Sequence, residues 1–156
     1  MFDVPVDAWY AWLGTAAVAT VLLGTAYGVP TAPPPDAASA ADAVDSVAAS
    51  EPPARGSYRI AADAVRIGPD GLTLRSDAGV AHARFAFGPV VPVDPGTDLA
   101  AVARGDRSGA TFRSGRSFRS ATAEVENRPA EWREAEALVV RSVSLGGEDA
   151  TLVLAA

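Results

Sequence analysis

The sequence predicts an α+β head carried behind an N-terminal transmembrane helix and a Pro/Ala-rich stalk. Three observations predict this. An uncharged run, AWYAWLGTAAVATVLLGTAYGV, extends from Ala8 to Val29. The proline cluster PTAPPP follows at 30–35. Beyond residue 55, apolar residues alternate with polar ones and Gly-containing turns separate the runs. The expected divisions are 1–29 for the anchor, 30–56 for the linker and 57–156 for the head.

The anchor comes first in the chain. A helix over 22 uncharged residues covers roughly 33 Å, enough for a bilayer core of about 30 Å. Trp9, Tyr10 and Trp12 gather at one end and Tyr27 lies near the other, as aromatic belts do at the two interfaces. Pro30 ends the helix. A cleavable signal peptide would combine a basic start with a shorter apolar core; here Asp3 and Asp7 come before a long one. Neither flank of the span carries a base close by, so charge does not orient it. Ala16, Thr20, Gly24 and Gly28 recur every fourth residue. This small-residue stripe suits close packing on another transmembrane helix.

The prolines of 30–35 predict an extended, semi-rigid spacer. Asp36 is placed to cap an alanine-rich helix, AASAADAVDSVAAS, that stops before Pro52 and Pro53. Val44 and Val47 share one face, with Asp42 and Asp45 on a polar one. With few large apolar groups, this helix is expected to be a solvated stalk or to lie lightly on the head.

In the head, Val65 and Ile67 alternate before the turn Gly68-Pro69-Asp70-Gly71. Leu72 and Leu74 follow, then the turn Ser76-Asp77-Ala78-Gly79. Ala81, Ala83, Phe85 and Phe87 form one face of a third strand, completing an antiparallel β-meander. Thr97 or Asp98 caps a short helix ending near Gly105, and a second helix runs from Ser117 to Asn127 with Phe118, Ala121 and Val125 on one face. A C-terminal hairpin turns at Gly146-Gly147-Glu148-Asp149. Two helices on a roughly five-stranded sheet would form a stable core.

Charge and composition exclude several chemistries. All 13 basic residues are arginine, and cysteine is absent. Disulfides, thiol catalysis and cysteine metal sites are therefore excluded. His82 is the one histidine, so no two-histidine motif exists. No GxSxG elbow, P-loop or GxGxxG occurs, and no catalytic, cofactor-binding or metal-ligating residue is expected. The net charge of −6 is uneven: six of the 19 acids precede residue 55, leaving 13 acids against 13 arginines in the remainder. Arg113, Arg116 and Arg119, spaced by three, form a basic cluster that is either a solvated face balanced by Glu124, Glu126, Glu131, Glu134 and Glu136 or a docking surface for an acidic partner or anionic lipid headgroups. The expected partners are the bilayer and other membrane subunits, with no nucleic acid and no small-molecule substrate.

The opening MFDVPVDAWYAWLG, the TAPPPDAA break, the AHARFAFGPV strand and the LVVRSVSLGGEDATLVL hairpin together resemble an uncharacterised haloarchaeal family. Its members are short proteins with one N-terminal membrane segment, encoded among genes for type IV pilus-like or type II secretion-like machinery. The resemblance implies a pilin-like or accessory, non-enzymatic role at the cell membrane, with pilus-like subunits as partners and the head extracytoplasmic. It carries no known catalytic residue. The alternative is a membrane-tethered extracytoplasmic binding or sensing module.

Overall fold

The computed structural model describes residues 12–19 and 32–156. The chain divides into two compact units, Met1–Ala32 and Pro33–Ala156. In the first, residues 12–19 are helical (α1) and expose Trp12, Leu13 and Val18. Among the described residues no helix is long and apolar enough to cross a membrane. Most of the uncharged run from Ala8 to Val29 lies outside the described residues.

The second unit is α+β. Its helices are α2 (Ala37–Ala48), α3 (Asp98–Arg104), α4 (Ser108–Thr111) and α5 (Gly115–Glu126). Its strands are β1 (Ala54–Arg59), β2 (Ala64–Gly68), β3 (Gly71–Ser76), β4 (Gly79–Arg84), β5 (Val91–Val93), β6 (Trp132–Glu134), β7 (Ala137–Leu145) and β8 (Glu148–Ala155). They form two four-stranded sheets, β1-β7-β8-β5 and β4-β3-β2-β6. The single five-stranded sheet expected from the sequence is thus replaced by two. Every pairing is antiparallel except β5 with β8.

The meander and the C-terminal hairpin stand as expected. Pro69 and Asp70 turn β2 into β3, with Gly68 opposite Gly71. A Cβ on Gly71 would lie 2.5 Å from the Ala83 carbonyl oxygen, so the close approach of β4 requires glycine there. The third strand stops at Arg84, leaving Phe85 and Phe87 beyond it.

β7 and β8 lie in the middle of the first sheet, and both of its faces are covered. Leu138, Val140, Val153 and Ala155 join the core shared with α2 and the second sheet. Val143, Leu152 and Leu154 join Val91, Val93, Leu99, Val102 and Phe118 under α3 and α5. Burial on both sides explains why Thr151–Ala155 is buried without alternation. Thr97 caps α3 by accepting from the Ala100 N–H, and Arg141 donates to the Asp106 carbonyl at 2.8 Å beyond its C-terminus. Ser114 and Ser117 form a reciprocal capping box on α5, which begins two residues before the expected start.

The largest correction concerns the stalk. α2 is a core element, not a solvated spacer. Ala37, Ala40, Ala41, Val44 and Val47 are buried. Their spacing places them on one helical stripe, and the helix touches β1, β3, β4 and β7. It closes the side on which β1 and β4 are the sheet edges. Small side chains suit this place because they let the helix approach closely. Gly56 of β1 completes the fit: a Cβ there would come within 2.7 Å of Val47 Cγ2. Asp36 caps the helix by accepting from the Ser39 N–H and hydroxyl. The Ser39 side-chain bond first, and then the backbone bond, hold the Asp36 carboxyl below its ordinary value of 3.8. The cap's contribution is therefore complete above that value and is lost as pH falls through the lowered one.

Asp45, expected on a polar face, is also corrected. It is buried and accepts from the backbone N–H groups of Ala86 (2.9 Å) and Phe87 (3.0 Å). The carboxylate thereby ties α2 to the segment leaving β4. Asp45→Ala would strand two N–H donors and is expected to cost about 1–3 kcal/mol. Faster hydrogen exchange at Ala86 and Phe87, with a lower melting temperature, is the expected measurement. Protection unchanged from wild type would show that the carboxylate does not hold that segment.

Candidate functional site

The strand registers assemble a cationic face on the outer side of the second sheet. Its inner side is apolar, with Val65, Ile67, Leu72 and Leu74 buried. Side chains alternate along a strand, so the intervening residues face outward. Arg66 stands opposite Thr73, and Thr73 opposite His82. Trp132 stands opposite Arg66 on the other flank. One cross-strand row therefore reads Trp132, Arg66, Thr73, His82. The row toward the β2–β3 turn reads Gly68, Gly71, Arg84; the row on the other side reads Glu134, Ala64, Arg75, Val80.

Within this grid the arginines are placed without being neutralised. The guanidinium carbons of Arg66 and Arg75 lie 5.1 and 4.5 Å from the Trp132 ring centroid. A cation–π contact orients a guanidinium and leaves its charge uncompensated. Thr73 Oγ1 lies 3.2 Å from His82 Nδ1. Gly68 and Gly71 contribute no side chain, and a depression of about 560 Å³ opens beside them. Arg66, Thr73, His82, Arg84 and Phe85 are among its lining residues, with Asp70 the acidic one. Arg66, Arg75 and Arg84 form no salt bridge among the described residues.

Other arginines are engaged elsewhere. Arg128 pairs with Asp94 at 3.0 Å and with Glu124, and Arg133 pairs with the same Asp94. The Glu124 side-chain bond, followed by the Asp94 bond, raises the Arg128 pKa above its ordinary value. These pairs border a cleft of about 310 Å³ between β5 and the segment after α5, in which both lining arginines, Arg128 and Arg133, are already held by Asp94.

The arginines singled out in the sequence do not form one stripe. Arg113 precedes the Ser114 cap and lies outside α5. Arg116 and Arg119 share a side of the helix, but Arg119 forms a two-point pair with Glu148 of β8 through its Nε (2.7 Å) and a terminal nitrogen. Arg113 and Arg116 are exposed, with no salt bridge among the described residues. Of the small-residue set, Ala16 lies in α1; Thr20, Gly24 and Gly28 lie outside the described residues.

Sequence reasoning missed Arg66, Arg75, Arg84 and Trp132. A signal was present: each of the meander's three strands carries an arginine out of phase with its apolar residues. The short turns between those strands set which of them meet.

The fold and this face define a small α+β head with an open cationic surface, an arrangement suited to holding anions. The chain belongs to DUF7283, a family of unknown function, with residues 3–143 matched. The match includes every residue of the cationic face. No curated protein and no solved structure matches the chain.

Proposed function

We propose that this chain is a non-enzymatic, single-pass membrane protein whose extracytoplasmic head serves as a binding or assembly module. The observation that carries the anchor is the uncharged run from Ala8 to Val29. The exposure of Trp12, Leu13 and Val18 on α1 supports it, because large apolar side chains gain by entering a bilayer. The outward placement of the head and an accessory role in a pilus-like or secretion-like assembly rest on the family resemblance. The cationic face favours binding as the role of the head, because arginine holds anions through fixed donors without exchanging protons.

The test is fractionation of cells expressing the full chain. The protein is expected in the membrane pellet after alkaline carbonate washing, with release only by detergent. Recovery of the intact chain in the soluble fraction would overturn the anchor. Filaments purified from the same cells are expected to contain the chain if its module serves assembly. A stable complex recovered without filaments would favour a tethered binding module.

A further inference from the structure

We propose that the depression walled by Arg66, His82 and Arg84 binds a soluble multivalent oxyanion, with phosphate or carboxylate groups as its recognised chemistry. This site deepens the binding-module reading and rests on it.

Strand spacing sets the geometry of the site. Adjacent strands are about 4.8 Å apart, and alternate residues on one strand are about 7 Å apart. Arg66 and His82 are two strands apart in one row; Arg84 lies one step along β4 from His82. The backbone positions of these donors are therefore roughly 7–10 Å apart, a separation that long arginine side chains span to reach different groups of one small multivalent anion. The glycine positions between Arg66 and Arg84 keep the intervening space clear. Two arginines and a histidine stand against one lining carboxylate, Asp70.

Four arginines elsewhere in the chain are already engaged. Arg119, Arg128 and Arg133 are held by carboxylates, and Arg141 by backbone carbonyls. Arg66 is instead held by an aromatic ring, which leaves its charge available to a ligand. Guanidinium groups form bidentate bonds with phosphate and carboxylate alike, so the shared oxyanion chemistry defines the ligand.

The test is isothermal titration of the full-length chain in non-ionic detergent, at low ionic strength, with tripolyphosphate and with citrate. At least one probe is expected to bind, and the tighter of the two assigns the anion class. Arg84→Gln and Arg66→Gln are each expected to weaken that binding at least tenfold. Arg104→Gln, on the exposed last turn of α3, should leave it unchanged. Circular dichroism melts of the two site variants should match wild type, which separates lost binding from lost folding. Absence of binding by both probes would overturn the site, as would wild-type affinity in both site variants or an equal loss in Arg104→Gln. A chain that binds neither probe yet still fractionates with membranes would lose this site and keep the anchor.

Discussion

A fragment beginning at residue 57 will fail to fold, whereas one beginning at Pro33 will melt cooperatively. The shorter fragment lacks α2 and the first three residues of β1. α2 supplies Ala37, Ala40, Val44 and Val47 to the core that also contains Leu72, Leu74, Leu138 and Val140. Burial of one valine or leucine side chain contributes about 1.5–3 kcal/mol. Loss of two valines and three buried alanines, with fresh exposure of the leucines beneath them, therefore approaches the roughly 5–15 kcal/mol that holds a whole domain together. Truncation also cuts into β1, which pairs with β7 from Ala54 to Arg59, and would leave β7 as a partly open apolar edge prone to association. Thermal melts and dispersion of amide proton signals are the measurements. A cooperative melt of the shorter fragment at the temperature of the longer one would show that α2 is dispensable after all.

The second large effect is expected at Phe118. It is among the largest fully buried side chains, and its ring meets that of Phe112 edge-on, with centroids 5.4 Å apart. It fixes α5 to the face of the first sheet opposite the one under α2. Phe118→Ala should cost about 3–5 kcal/mol, from lost burial and from the cavity left behind. In a domain of this size the melting temperature should fall by roughly 10–20 °C. Phe118→Leu should recover most of the loss. A cycle with Phe112→Ala should reveal a coupling of about 0.5–1.5 kcal/mol beyond burial. A fall of only a degree or two in Phe118→Ala would mean that α5 is held by its polar contacts, chiefly Arg119 with Glu148.

What could be foreseen depended on whether the deciding contacts were local. The β7–β8 hairpin was legible because two long apolar runs flank Gly146 and Gly147, whose φ values of +62° and +82° suit glycine. The short helix α3 was legible from Thr97, which caps it, and Gly105, which ends it. β5 was hidden because Pro92 reads as a strand breaker; it is tolerated on an edge strand that pairs with β8 alone. β1, with the sequence ARGSYR, has weak apolar alternation and takes its place from β7.

By itself the sequence determined the class α+β, the meander and hairpin, the absence of cysteine chemistry and the confinement of the net negative charge to the residues before 55. Each follows from composition or from contacts only a few residues apart. Tertiary structure alone decided that α2 belongs to the core. A stripe of alanine and valine is compatible with a lightly attached helix and with a tightly packed one, and Gly56 selects the second by admitting Val47. It also decided which arginines remain available. Arg113, Arg116 and Arg119 are neighbours in sequence, yet one lies outside the helix and another is paired with Glu148. Arg66, Arg75 and Arg84 are spaced nine residues apart along the chain, and the pairing of successive strands brings them to one face. A charge's neighbours in space, which the strand registers determine, govern whether it is neutralised or left free.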